Sequence, residues 1–335
     1  MKAVQVSKPG GNFEVVDRPT PEPAKGQVRI KVEACGVCHS DVLVKEGLWP
    51  GLQYPRVPGH EIAGRVDKIG PDVTLWKTGQ RVGVGWHGGH CFECEPCRRG
   101  DFINCKFQKV TGIHYDGGYA EYVIIPAEAV ALMPEDLRDD EAAPLLCAGI
   151  TVFNALRNSG ARAGQLVAVQ GIGGLGHLGI QYARQMGFRT VAIGRGSDKK
   201  ELATKLGAHE YIDNSAGSPA EALQRMGGAS VVVATAPDSK SMSDLVDGLG
   251  PNGTLMVIGA GTESLAVSPL QLIFGNRLIR GWASGTARDS QDTLEFSALS
   301  GVRPMIERFP LAKAAEAYEQ MSSGRARFRA VLTMS

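Results

Sequence analysis

One stretch constrains the fold of this chain more than any other. The aliphatic run Leu166–Gln170 leads straight into Gly171-Ile172-Gly173-Gly174-Leu175-Gly176, and a helical pattern follows over 177–186. A strand that enters a G-x-G-x-x-G turn and leaves as a helix is the opening of a βαβ unit. Its glycines let backbone amides approach a pyrophosphate, and the helix N-terminus adds favourable partial charge. Further buried-strand candidates at 190–193, 230–234 and 253–258 alternate with helical stretches such as 199–206. This alternation predicts an α/β fold with a doubly wound parallel sheet covered on both faces. Residues 163–183 carry no formal charge and approach the length of a membrane span. The interior Gln165, Gln170, His177 and Gln181, with the central glycines, argue against a membrane helix.

The preceding part has another texture. Up to about residue 134, short apolar runs at 27–32, 61–66 and 119–124 are separated by Gly and Pro, which predicts a mostly antiparallel β domain. After Gly281 the pattern loosens, with a helix expected over 311–323 and a strand over Arg329–Thr333. A length of 335 residues accommodates two domains. Lys plus Arg number 36 against 35 for Asp plus Glu, so there is no basic excess to suggest nucleic acid or an anionic membrane as partner. The 43 glycines are scattered along the chain, mostly singly, as turns and close approaches are, rather than gathered into a linker.

Cys91, Cys94, Cys97 and Cys105 follow the spacing C-x2-C-x2-C-x7-C. Such short spacers let one loop wrap a tetrahedral structural zinc. The total of seven cysteines is odd and cannot be fully paired. The first residues, Met1-Lys2-Ala3-Val4-Gln5-Val6, offer no apolar core leading to a cleavage site. Thiol ligands in a reducing, cytoplasmic setting are therefore expected.

The second strand of the βαβ unit bears on the cofactor. NAD sites place an acid about 20 residues beyond the glycine turn, to bond the adenosine ribose hydroxyls. Here that strand ends in Gly194-Arg195-Gly196-Ser197-Asp198. A guanidinium beside a missing carboxylate suits a 2′-phosphate, with Ser197 and Lys199 as further donors. NADP is favoured, with NAD through backbone contacts as the alternative.

Three more segments stand out: Gly36-Val37-Cys38-His39-Ser40-Asp41, Pro58-Gly59-His60-Glu61 and Cys147-Ala148-Gly149-Ile150-Thr151. A Cys, a His and a second Cys form the kind of three-ligand zinc set that leaves a position for substrate. Spacing alone does not join residues this far apart. In this order, however, with the cysteine lobe and the glycine turn, they resemble the zinc-dependent medium-chain dehydrogenase/reductase superfamily, in its branch of microbial and yeast-type alcohol dehydrogenases.

The resemblance covers essentially the whole chain. It implies a GroES-like catalytic domain over 1–148 and 286–335, with the zinc lobe at about 88–107, and a Rossmann domain over 149–285. It implies Cys38, His60 and Cys147 as catalytic zinc ligands, with Glu61 able to approach the ion and Asp41 bonded to the far nitrogen of His60. Ser40 would take the substrate proton. His39 and Arg329 would lie near the cofactor pyrophosphate, Thr151 near the nicotinamide, and Trp49 and Trp86 along the substrate pocket. Two zinc ions per chain and a dimer or tetramer are implied as well.

Two departures qualify the match. Leu43 stands where the family's proton relay often ends in histidine, so the proton is expected to leave from Ser40 through the cofactor ribose to water. The Gly194-Arg195 pair departs from the usual NAD pattern. The expected activity is reversible hydride transfer between a primary alcohol or aldehyde and NADP(H) or NAD(H). A polyol or secondary-alcohol dehydrogenase is the runner-up, and a non-catalytic dinucleotide sensor the reading from another class.

Overall fold

The computed structural model describes residues 1–334, whose contacts divide into two compact units. One is Met1–Ile150 with the segment from Ser284 onward, and the other is Thr151–Ala283.

In the Thr151–Ala283 unit, parallel strands lie in the order Glu210–Asp213, Arg189–Gly194, Leu166–Gln170, Ala229–Ala234, Leu249–Val257, Leu278–Gly281. This is the doubly wound arrangement, whose strand order reverses beside Leu166–Gln170. That strand is buried along its whole length, as a central parallel strand covered on both faces must be. The following helix, Gly176–Gln185, buries Leu178, Ile180, Tyr182 and Ala183. The glycines at the turn answer separate needs. Gly171 has a φ of 91°, which side chains rarely adopt, and a Cβ on Gly176 would stand 1.8 Å from the Gly171 carbonyl oxygen.

The other unit is built on a largely antiparallel sheet. Gln27–Gly36 pairs with Ile62–Ile69, Tyr122–Pro126 and Arg329–Thr333, and the sheet continues through Arg81–Val84 to Val130–Leu132. Ile306–Pro310 joins Arg329–Thr333 in parallel, so the C-terminal segment belongs to this sheet. Val28, Ile30 and Val32 alternate inward along the central strand and pack with Ile62, Val82, Val123 and Ile125.

The structure differs from the expected elements in three places. The strand expected over 119–124 begins at Tyr122, and Tyr119 instead turns inward and is fully buried. The segment expected to be helical over 311–323 opens with a single 3-10 turn, Leu311–Lys313, before the helix Ala314–Ser322. A helix at Ala287–Ser300 lies where no pattern was seen. Its buried face is mostly Ser290, Thr293 and Ser297, so it lacks an aliphatic stripe. The hydroxyls are satisfied locally, Thr293 donating to the Asp289 carbonyl and Ser297 to the Thr293 carbonyl, each at 2.7 Å. Among the described residues no helix is long and apolar enough to cross a membrane.

Candidate active site

The four clustered cysteines are drawn together by a short helix, Glu95–Arg98, with Pro96 in its first turn, and by the turn Phe102–Asn104. Their sulfurs all lie within 4.8 Å of one another. Contacts of 3.9 Å for Cys91–Cys97, 3.8 Å for Cys94–Cys105 and 3.6 Å for Cys91–Cys105 are far too long for disulfides. They match the edge of a tetrahedron with zinc–sulfur bonds of about 2.3 Å, which is about 3.8 Å. Backbone amides of Cys94, Cys91 and Phe107 donate to these sulfurs at 3.3–3.4 Å, which favours the thiolate form. The Cys94 thiol is lowered to about 6 by a different donor, chiefly the Cys97 amide, while burial pushes the Cys97 thiol up to about 12. The donor set fits a structural zinc. Cys97→Ala is expected to lower the melting temperature by roughly 5 °C or more, with zinc released from the lobe, as followed by calorimetry and metal analysis.

A second cluster forms where three separate segments meet. Cys38 follows the strand Gln27–Gly36 and caps the turn His39–Asp41. His60 and Glu61 sit just before the strand Ile62–Ile69. Cys147 is carried by a π-helical turn, Leu145–Gly149, a form of bulge common at functional sites. The two sulfurs are 3.7 Å apart, and the ligand atoms of Cys38, His60, Glu61 and Cys147 all lie within 4.8 Å of one another.

The polar groups around this cluster are fixed one by one. Asp41 Oδ1 faces His60 Nδ1 at 3.4 Å, while Oδ2 accepts from the Cys38 amide and from the Tyr119 hydroxyl, both at 2.9 Å. Glu61 Oε1 is ion-paired to Arg329, itself buried. Three atoms are left over: Arg329 Nε and, on the side of the sulfurs, His60 Nε2 and Glu61 Oε2 are buried without a hydrogen-bond partner, which is costly unless something else binds them. Two sulfurs, an orphaned imidazole nitrogen and an orphaned carboxylate oxygen fit a zinc ion. The hydrogen bond between the two sulfurs holds the Cys38 thiol well below its ordinary value and Cys147 well above it, so the pair shares one proton, which an arriving metal would displace. Burial raises Glu61 to about 7, against the pull of Arg329.

An apolar wall adjoins these groups. Trp86 meets the His60 ring edge-on at 5.0 Å, and Trp49 packs against Trp86 at 6.1 Å. Val44, Val110 and Ile113, with Leu43 and Leu52, complete this patch. Leu43, a departure in the sequence, is thus a wall residue. Tyr119 was not singled out as a site residue, because no local pattern links it to an aspartate 78 positions away.

In the other unit, a cavity of about 750 Å³ opens at the reversal of strand order. It is lined by Gly171 through Leu175, by Gly194, Arg195 and Lys199, and by Thr235–Asp238 from the neighbouring strand's end. Gly176 is spent on the turn itself, and the exposed Ser197 is not among the lining residues. Lys199 Nζ donates to the Ile172 carbonyl at 2.9 Å and so steadies the glycine turn. The lining has a single carboxylate, Asp238, which already caps the helix Ser239–Asp244 through the Ser241 amide. Thr151 opens this unit on the helix Ile150–Arg157, whereas His39 is exposed in the first unit and Arg329 is held by Glu61.

A thiolate–imidazole metal cluster in a GroES-like sheet, in a chain that also carries a doubly wound dinucleotide domain, defines a zinc-dependent oxidoreductase. Known proteins agree. Residues 24–135 match the alcohol dehydrogenase GroES-like domain, and residues 174–299 match the zinc-binding dehydrogenase domain. The sequence is 48% identical to alcohol dehydrogenase patD of Penicillium expansum over 93% of this chain and 91% of that one. It is 38% identical to an alcohol dehydrogenase of Geobacillus stearothermophilus over 100% and 99% of the two chains. The crystal structure of CAD from Helicobacter pylori complexed with NADP(H) superposes with a TM-score of 0.87 at 28% identity, covering 99% of this chain and 97% of the other.

The chain belongs to the zinc-dependent medium-chain dehydrogenase/reductase superfamily and is an alcohol dehydrogenase, using zinc and a nicotinamide cofactor on small alcohols or aldehydes. The reading as a non-catalytic sensor is thereby set aside.

Proposed function

We propose that the enzyme interconverts primary alcohols and aldehydes with a preference for NADP(H), holding one zinc through Cys38, His60 and Cys147 and a second in the Cys91, Cys94, Cys97, Cys105 lobe. The observation that carries this reading is the buried, unpartnered His60 Nε2 beside the Cys38–Cys147 sulfur pair and the Trp49–Trp86 wall. Bound there, zinc supplies a Lewis acid that lowers the pKa of a substrate hydroxyl and polarises a carbonyl. The nicotinamide supplies the hydride acceptor or donor.

The chain's own groups do the rest. Asp41 holds the His60 ring by Nδ1 so that Nε2 faces the sulfurs, and Tyr119 in turn holds Asp41. Ser40 takes the hydroxyl proton and passes it to water, since Leu43 offers no acceptor. Trp49, Trp86 and Leu43 keep water from the apolar end of the substrate and favour a slim carbon chain or ring. On this reading Met1–Ile150 with the C-terminal segment is the catalytic domain, and Thr151–Ala283 holds the cofactor. Arg195 at the rim of a cavity with no uncommitted carboxylate supports NADP over NAD. The presence of NADP(H) in the Helicobacter pylori relative is consistent with it. The deciding experiment compares initial rates for short, long and aromatic aldehydes with NADPH and NADH side by side. Equal kcat/KM for the two cofactors, or no turnover of any aldehyde by zinc-loaded protein, would refute the reading.

Assembly is part of the proposal. The edge strand Leu278–Gly281 and the adjacent helix Pro269–Ile273 leave Leu270, Ile273, Phe274 and Leu278 between 54 and 71% exposed. An unpaired edge beside a patch of large apolar side chains suits a second copy of the chain, in a cytoplasmic dimer or tetramer. Ile273→Asp is expected to shift the sedimentation profile toward monomer, and an unchanged profile would place the interface elsewhere.

A further inference from the structure

We propose that Tyr211 is a specificity-determining residue: its hydroxyl occupies the space a side chain at position 194 would need, and so keeps an acid from reading the adenosine ribose. The inference rests on the NADP reading above and explains how the fold maintains it. Gly194 ends the second strand and lies in register with Asp213 on the outermost strand, Glu210–Asp213. Its φ lies outside the left-handed region, so backbone conformation alone does not demand glycine there. Space does. A Cβ built on Gly194 would stand 2.6 Å from Tyr211 Oη, 3.2 Å from Tyr211 Cε2 and 3.3 Å from Ile172 Cδ1.

Tyr211 is not free to yield. Its hydroxyl donates to the Gly196 carbonyl at 2.5 Å, across the turn that carries Arg195. The amide of Gly196 donates in turn to Asp213 Oδ1 at 2.8 Å, and that oxygen also accepts from Ser215 at its amide and hydroxyl. Two residues of the neighbouring strand therefore grip both sides of Gly196. Making room for a carboxylate at 194 means breaking the tyrosine's bond and shifting its ring, an overpacking cost that offsets the gain from new ribose contacts. The fold excludes the NAD-type acid by steric means and holds the arginine turn with the same hydroxyl.

The test is a double-mutant cycle of Gly194→Asp with Tyr211→Phe, read as Kd for NADH and NADPH by isothermal titration calorimetry. In the Tyr211 background, Gly194→Asp is expected to give no gain in NADH affinity. With Tyr211→Phe, which removes the obstructing oxygen and the tether, the same change should strengthen NADH binding by about tenfold. Equal effects of Gly194→Asp in both backgrounds overturn the proposal. Should Gly194→Asp fail to fold, Gly194→Ala adds only the obstructed atom: a fall in melting temperature relieved by Tyr211→Phe supports the proposal, and an equal fall in both backgrounds sinks it. The NADP reading fails separately, through a wild-type protein that binds NADH as tightly as NADPH, whatever the coupling between 194 and 211.

Discussion

Cys38→Ala abolishes turnover, with kcat expected to fall by at least about a thousandfold, because a Lewis acid contributes several kcal/mol to such a reaction. Metal analysis should find about one zinc per chain fewer, since His60 and Cys147 with a carboxylate already ion-paired to Arg329 do not replace the lost thiolate. Dinucleotide binding, measured as Kd for NADPH, should stay within about threefold, since glycine turn and Arg195 belong to the other unit and share no partners with Cys38. The combination matters more than either result. Loss of both activity and binding would mean the substitution unfolded the protein, and circular dichroism would reveal it. The change is small: Cys38 is a short side chain at a turn whose closure relies on its backbone, the amide donating to Asp41 Oδ2 at 2.9 Å. Alanine keeps that amide. Cys147→Ala should give nearly the same loss, and the double variant little more, since residues that act through one ion are not additive. Retention of more than about a tenth of wild-type activity in metal-verified Cys38→Ala protein would remove this cysteine from the reaction.

The parallel-sheet unit was legible because its signals are local. Leu166–Gln170, the glycine turn and the helix after it lie within a few residues of one another, and each obeys its own steric rule. The cysteine lobe was legible for the same reason. Cys38, His60 and Cys147 became a set only through the order of motifs in a known family, since nothing local says that a turn, a strand entry and a π-helical bend will meet. What escaped notice escaped for physical reasons. The helix Ala287–Ser300 hides its inward face in Ser and Thr, although Thr286 with Asp289 forms a capping box and Gly301 closes it at a φ of 76°. Those caps were the available signal. Tyr119 and Tyr211 act through single hydroxyls on residues distant in sequence or on the next strand, and no periodicity marks such contacts.

Arg195→Asp should weaken NADPH binding by about ten- to a hundredfold and leave NADH within about threefold, because a charge-assisted contact to phosphate contributes about 1.5–3 kcal/mol. The arginine is exposed, so the size of the effect depends on conditions in a calculable direction. At physiological ionic strength the Debye length is about 8 Å, and the discrimination should shrink as salt is raised toward 1 M, where it is about 3 Å. The pH dependence follows from the ligand. A phosphate monoester loses its second proton near pH 6, so the dianion that a guanidinium prefers prevails above that value. Wild-type preference for NADPH should therefore be greatest above about pH 7 and decline as the pH falls through about 6, while NADH binding stays level. In Arg195→Asp the sign reverses: the aspartate repels the dianion more than the monoanion, so NADPH binding should improve slightly on acidification. Kd for both cofactors across pH 5–8 separates these cases. Parallel curves for wild type and variant, or equal losses of NADH and NADPH, would mean that Arg195 does not face the 2′-phosphate.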